Sequence, residues 1–351
     1  MRIGADSTKF PGAVRLNPVE LIDRAAKLGL EGVYFRSILE LSPTLDRAQL
    51  QDVSQQARER GMRLEAGIGK VNPFSTPEAP HIRKLGGGDY RRAQIMMIEG
   101  AAAIGIHELW SALSNYQFHL SGLYAFDRFR TDVDWPAQLR ATTAFLKGLA
   151  PVLRANGTHV NVETHEEITS FELVRIVEEV GPDAVGITFD TANVAVRGES
   201  PAAAARRVAP YVRATHVRDV ALVRESDGLR RYLVPVGEGV IDWRAVLDAL
   251  APAAPMLSIE GIIASRAGMS VPVFDPRWAP NHPEMVIAER DELLALADDY
   301  QRRAHEGEVP DATALAGPVE PDEPRRFLEN SMRALRTLLA GTRPSMSKET
   351  A

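Results

Sequence analysis

Between residues 159 and 217 the chain reads HVNVETHEEITSFELVRIVEEVGPDAVGITFDTANVAVRGESPAAAARRVAPYVRATHV. Three short apolar runs, His159–Glu163, Ala184–Asp190 and Tyr211–Val217, are separated by two amphipathic stretches, Ile168–Val180 and Pro201–Val208. The runs are strand-like in length and the stretches between them have helical spacing. Strict alternation of this kind predicts parallel strands joined by helical crossovers, since parallel neighbours cannot be linked by a tight turn.

The same alternation extends in both directions. Arg2–Asp6, Gly32–Arg36, Arg63–Gly67 and His107–Trp110 read as four earlier strands, and Met256–Glu260 as an eighth. Helices are predicted at Asn17–Gly29, Asp46–Gly61, Tyr90–Ile104 and Trp135–Asn156, and from Asp242 to about Leu250. Asn17 caps the first, Pro18 fits its first position and Gly29 stops it. Eight such units predict an α/β fold, a (β/α)8 TIM barrel over residues 1–265. Residues 266–341 are expected to form a C-terminal helical extension packed on the same barrel, with helices at Met285–His305 and Arg325–Leu339 and an irregular wrap at His305–Pro324. Residues 342–351 read as a frayed tail. A dinucleotide fold would need G-x-G-x-x-G after the first strand; Gly4-Ala-Asp-Ser does not supply it, and neither Gly67-Ile-Gly69-Lys70 nor Gly86-Gly-Gly88 completes a phosphate-binding signature.

Composition narrows the chemistry. The 351 residues are 45% hydrophobic and carry 41 basic against 47 acidic side chains, a formal net charge of -6. No overall electrostatic case for nucleic-acid binding exists. With no cysteine, disulfides, thiolate zinc sites, iron–sulfur clusters and a cysteine nucleophile are excluded. The N-terminal MRIGADSTKF has no apolar core of a signal peptide, and no 18-residue apolar run suggests a membrane span, so a cytoplasmic location is expected.

Barrel chemistry sits where strands end. The fifth to eighth strands end in Glu163, Asp190, His216 and Glu260. Singly, each reads as a helix cap or the partner of a neighbouring arginine. Together, four ionisable residues closing four consecutive strands can converge, and three carboxylates so close require a cation. The mixed oxygen and nitrogen donors suit one divalent metal, with Mn2+ expected first and Mg2+, Co2+, Fe2+ or Zn2+ as alternatives.

The residues Val162-Glu163-Thr-His165, Phe189-Asp190-Thr-Ala-Asn193, Thr215-His216-Val-Arg218-Asp219, Val236-Gly237-Glu238-Gly239-Val-Ile-Asp242-Trp243 and Ser258-Ile-Glu260 carry a resemblance to the xylose-isomerase-like TIM-barrel superfamily of sugar isomerases and epimerases. It spans roughly Met1 to Gly261. The resemblance implies that Glu163, Asp190, His216 and Glu260 ligate one metal, and that Glu163 and Glu260 move a proton next to a sugar carbonyl through enediolate chemistry. Asn193 departs from the histidine that some members carry there, which puts a second metal in doubt. The chain is also similar to the larger, catalytic subunits of bacterial C-glycoside deglycosidases, which eliminate the aglycone from 3-oxo-C-glucosides and work with a small β-rich partner subunit. The alternatives are a free-sugar isomerase, ketose 3-epimerase or inosose dehydratase and, from another class, a non-catalytic or DNA-repair barrel.

Further residues are expected around the centre. His165 reads as an alternative base or a partner of a substrate hydroxyl, against an ordinary loop histidine. Arg218 would grip a carboxylate, phosphate or phenolate oxygen, or else pair with Asp219. Glu238, between two glycines, reads as a loop organiser or a ligand for a substrate hydroxyl. Asn193, Trp110 and Lys9 complete the substrate set, with Glu65 and Lys70 as rim residues. Tyr116, Phe118, Tyr124, Phe126 and Phe129 populate a long loop after the fourth strand, joined by Phe274 and Trp278. The loop reads as a lid that stacks on a sugar or flat aglycone, or as a homo-oligomer contact.

Overall fold

The computed structural model describes residues 1–75, 77, 79–117, 119–120 and 122–341. Eight strands close a parallel barrel: β1 (Ile3–Asp6), β2 (Gly32–Phe35), β3 (Arg63–Gly67), β4 (Glu108–Ser111), β5 (His159–Glu163), β6 (Val185–Asp190), β7 (Val212–Val217) and, after a hairpin of β8 (Asp219–Glu225) and β9 (Gly228–Val234), β10 (Leu257–Ile259). Their order around the barrel is β1-β10-β7-β6-β5-β4-β3-β2. The expected TIM barrel is therefore present.

The helices of the first half are α1 (Pro18–Lys27), α2 (Ile38–Leu41), α3 (Arg47–Glu59), α4 (Pro80–Leu85), α5 (Tyr90–Ala102) and α6 (Trp135–Asn156). Those of the second half are α7 (Ser170–Val180), α8 (Asn193–Val196), α9 (Pro201–Val208), α10 (Trp243–Leu250), α11 (Ile287–His305), α12 (Ala312–Ala316) and α13 (Glu323–Gly341). Side chains close the orphan amides where the long crossover helices begin: Asn17, Asp46, Asp89, Asp134, Thr169, Ser200 and Asp242 each accept from the first turn. Among the described residues no helix is long and apolar enough to cross a membrane.

The barrel floor is closed by one flexible side chain. Met256 fills the space that a Cβ on Gly4 or Gly32 would need, and it packs with Tyr34, Trp110 and Ala112 in a cluster distinct from the main core. Glycine on two adjacent strands is what lets a methionine plug the interior.

The hairpin was not foreseen, because it interrupts the β/α alternation on which the reading rests. Its signal is local: Glu225 pairs with Gly228 across a Ser226–Asp227 turn, between runs of period two. β11 (Met269–Val271) adds to β9 and makes a three-stranded antiparallel sheet. The stretch expected to be a helical extension thus also contains a strand, and α12 lies within the expected irregular wrap. Alternation splits the hairpin's faces. Ala221, Val223, Tyr232 and Val234 pack with Tyr300 of α11 and Leu315 of α12, while Val220, Leu222, Leu229 and Leu233 join the main core. Phe327, Leu328, Met332 and Leu335 of α13 belong to that core too. Residues 342–351, read as a frayed tail, lie outside the described residues.

Glu65 lies buried in β3 with no hydrogen-bond partner on either carboxylate oxygen among the described residues. Arg63 approaches to 3.1 Å without hydrogen-bond alignment. Burial pushes the carboxyl from its ordinary value near 4.5 up to about 7. Between those values the folded chain holds a proton that the unfolded chain has released, so stability falls as pH rises towards 7. Glu65→Gln is expected to be more stable than the native chain at pH 8, by about 3 kcal/mol at most, with the gap closing near pH 4.5. Urea denaturation at the two pH values checks this; equal stability at pH 8 contradicts it.

Candidate metal centre

Register brings the four strand-end residues together. Asp190 of β6 sits level with His216 of β7, and His216 level with Ser258 of β10, so Glu260 emerges just beyond. Glu163 ends β5 opposite Thr188, two residues short of Asp190 on the same face. One ligand atom from each residue lies within 4.8 Å of those of the other three. All four are buried: Glu163 is 2% exposed, Asp190 0%, His216 1% and Glu260 4%. His216 Nδ1 stands 3.1 Å from Glu163 Oε1 and 3.4 Å from Glu260 Oε2. Neighbouring donors on an octahedral ion with bonds of about 2.1 Å are about 3 Å apart. Glu260 Oε2 is buried with no hydrogen-bond partner among the described residues, an acceptor left over at the centre. The donor set fits a divalent ion.

Surrounding groups orient the donors. Trp110 Nε1–H donates to Glu163 Oε2 (2.9 Å) and Asn193 Nδ2–H to Oε1 (3.3 Å). Asp190 Oδ1 accepts the backbone N–H groups of Ala192 and Asn193. Arg218 grips Asp190 Oδ2 at 2.6 Å and Glu260 Oε1 at 3.1 Å. Arg36 pairs with both Glu260 and Asp6. Burial, reinforced by the charges of Glu163 and Glu260 and opposed by Arg218, raises the Asp190 carboxyl to about 6. For Glu163, burial acts upward too, but the charge and hydrogen bond of His216 outweigh it and hold the carboxyl well below its ordinary range.

The other expected residues divide. His165 is half-buried next to the centre, its Nδ1 2.8 Å from Glu166 and also paired with Glu167. Asn193 lies between Glu163 and Arg218. Trp110 is on the barrel floor, its ring under Lys70 Nζ at 4.8 Å. Lys9 follows β1, its backbone N–H on Asp6 Oδ1. Arg218 turns to Asp190 and Glu260, away from Asp219. Asp219 instead accepts from the backbone N–H groups of Val220, Gly237 and Ile241 and from Trp243 Nε1. A Cβ on Gly239 would collide with it, so Asp219 organises the loop that was assigned to Glu238. Glu238 itself is exposed and accepts from Asn330 of α13. It lines an outer cleft of about 600 Å3 with Trp243 and Ala334, and no described contact joins it to the four donors.

The aromatic loop is largely consumed in packing. Phe126 and Trp278 clasp the buried Arg197 at 4.6 and 5.0 Å, and Phe129 stands beside Trp278 and His282. Arg128 anchors the loop through two hydrogen bonds to Glu172. Tyr124 and Phe274 are exposed, and Phe118 lies outside the described residues. Sequence reasoning missed Asp6, Arg36 and Arg231. Asp6 and Arg36 close the first and second strands, so the rule applied to strands five to eight would have found them. Arg231 lies on the unforeseen hairpin.

Residues 22–263 match the family model described as Xylose isomerase-like TIM barrel. Among solved structures, D-psicose 3-epimerase with D-tagatose from Clostridium cellulolyticum H10 aligns at TM-score 0.58 and 18% identity, over 86% of this chain and 98% of that one. The 3-keto-D-glucoside 4-epimerase YcjR from E. coli aligns at 0.53 and 17% identity, over 85% and 99%. Identities this low establish the shared fold. A curated relative, the uncharacterized protein YihM of Escherichia coli K12, is 32% identical over 95 residues, 27% of this chain and 29% of that protein. The match therefore covers under a third of that relative's length.

The Asp219 network generates a clean contrast. Asp219→Ala leaves three backbone amides and a buried indole N–H without their acceptor and is expected to cost about 3 kcal/mol or more. Glu238→Ala is expected to stay within about 0.5 kcal/mol of the native chain. Denaturant midpoints of the two variants decide, and reversal of their order would remove the assignment.

Proposed function

The chain belongs to the xylose isomerase-like TIM barrel family, and from that premise we propose that it is a divalent-metal-dependent enzyme that moves a proton next to the carbonyl of a sugar-like substrate. The observation that carries the reading is the convergence of Glu163, Asp190, His216 and Glu260 on one buried point. These four would hold the ion, with manganese suited to the mixed donors and Mg2+, Co2+, Fe2+ or Zn2+ as alternatives. When bound, the ion would supply Lewis acidity towards vicinal substrate oxygens, which makes the neighbouring C–H easier to deprotonate.

The chain's own residues supply the rest. Glu163 and Glu260 are the proposed proton-transfer pair. They rise from β5 and β10, with β6 and β7 between them, and so flank the centre from two sides. Trp110 and Asn193 fix the plane of the Glu163 carboxylate. Arg36 and Arg218 hold one oxygen of Glu260 and leave Oε2 able to accept a proton. His165, joined to Glu166 and Glu167, is placed to pass protons between the centre and solvent. Tyr34, Trp110 and Met256 seal the site from below against water.

An isomerase or epimerase is the form this geometry supports best. Elimination from a 3-oxo-C-glucoside by a deglycosidase catalytic subunit would use the same proton removal. Its case is weakened by the burial of Phe126, Phe129 and Trp278, which leaves less aromatic surface for an aglycone.

Elemental mass spectrometry on native protein and on Glu163→Gln is the direct test. About one divalent ion per chain is expected, lost in the variant. Saturation at a hundredfold excess over Kd should stabilise the native fold by about 2.7 kcal/mol. In deuterated water with manganese, the native chain should exchange the hydrogen next to a ketosugar carbonyl, and neither Glu163→Gln nor His216→Ala should. A chain that neither retains nor takes up metal, or variants that exchange at the native rate, overturn the reading.

A further inference from the structure

Arg231 is a charged residue in an apolar row. On β9 it lies between Leu229 and Leu233, on the face that joins the main core, and it is 0% exposed. A guanidinium has five N–H donors. The three on Nε and Nη1 have no hydrogen-bond partner among the described residues. Nη2 makes only a long contact of 3.5 Å to Asn193 Oδ1 and one of 3.1 Å to Met269 Sδ, a weak acceptor. Among the described residues no carboxylate pairs with it directly. Burial lowers its proton affinity to about 10, which still leaves it charged at neutral pH.

Leaving a buried cation unpaired costs several kcal/mol, and an arginine so placed is normally met by a carboxylate. Here the hairpin presents it, through Asn193, to Glu163 and Arg218 of the centre. We propose that Arg231 is a substrate-binding residue and that the substrate is an anionic sugar, whose carboxylate or phosphate takes up the unpaired N–H groups. This inference rests on the reading of the centre as a sugar site.

The charge balance agrees. Asp6, Glu163, Asp190 and Glu260 face Arg36, Arg218 and Arg231, while Glu166 and Glu167 are met by His165 and Lys70. With Arg197 also acting on Glu166 and Glu167, a divalent ion added to that set leaves a surplus of positive charge, which an anionic group on the substrate reduces. Arg218 is not the anchor, since Asp190, Glu260 and Asn193 already occupy its donors. The charges of Glu166 and Arg231 both act on the Tyr116 hydroxyl, so the loop that follows β4 passes near this arginine.

The test is titration calorimetry with D-fructuronate, D-fructose 6-phosphate and D-fructose, on the manganese-loaded and the metal-free native chain, Arg231→Met and Arg231→Lys. At least one anionic ketose is expected to bind the native chain tenfold or more tighter than D-fructose. Whichever it is identifies the carboxylate or the phosphate. Arg231→Met should lose that preference and keep its metal content and its D-fructose affinity, and Arg231→Lys should recover part of it. Because the preference depends on Arg231, it should persist without metal, so absence of metal binding would count against the proposed chemistry alone. Arg231→Met should also melt no lower than the native chain, since it removes an unpaired buried charge; a purely structural arginine would lower the melting point. Equal affinity for neutral and anionic sugars, or a preference that survives Arg231→Met, overturns the inference.

Discussion

Three carboxylates at the end of one closed barrel repel one another, and the rest of the site is organised around that repulsion. At about 4 Å and an effective dielectric constant near 20, each pair of like charges costs about 4 kcal/mol. Three such pairs approach the whole stability of a typical domain. The barrel cannot escape by turning them outward, because register fixes Glu163, Asp190 and Glu260 on the inner face. Compensation must come from within. Arg36 and Arg218 supply part of it, while burial first, and the charges of Glu163 and Glu260 after it, still raise the Asp190 carboxyl. A bound divalent ion, as proposed, is the remaining counter-charge.

The apparent decorations of the barrel then acquire a purpose. The β8–β9 hairpin begins just after Arg218, which follows the strand that carries His216, and its turn-back brings Arg231 to Asn193 beside the centre. α11 and α12 cover the hairpin's outer face with Tyr300 and Leu315. Without that cover the small three-stranded sheet would leave one apolar face to water. Asp219 ties the base of the hairpin to the loop before α10. The C-terminal helices thus support the part of the site that the eight βα units do not build.

Most of the barrel was legible because it depends on local signals. Trp135–Asn156 and Pro201–Val208 appear with the bounds read from capping and periodicity, and seven N-caps are the residues whose side chains favour that position. The four metal-ligand candidates were legible for a different reason: a strand end in this fold has a known direction, so one ionisable residue per strand predicts a place in space. Arg231 lay beyond that reasoning. Its importance depends on which face of a ribbon it occupies and on which partners fail to reach it, and neither is written in Leu229-Arg-Arg-Tyr-Leu-Val234. Arg230, its neighbour, has the same chemistry in sequence and pairs with Glu225 instead. Glu238 misled for the converse reason. Two flanking glycines marked a special loop, but the acid that organises it comes from nineteen positions earlier, and is Asp219.

Buried polar atoms without a hydrogen-bond partner among the described residues occur in several parts of the barrel, those of Glu65, His159 and Asn161 among them. Arg231, Arg197, Glu260 and Glu166 each have a buried polar atom without a hydrogen-bond partner among the described residues, and Arg197 and Glu166 follow the same barrel strands that supply Asp190 and Glu163. Arg197 is steadied by aromatic faces in place of an anion, and burial lowers its proton affinity to about 9. A protein selected for stability alone would replace such groups with apolar ones of similar volume, which is neutral or stabilising in many buried sites. Arg197, Arg231 and Glu166 stand around the four donors, of which Glu260 is one, above a floor sealed by Met256, and there binding energy, as proposed, offsets what such groups cost in folding.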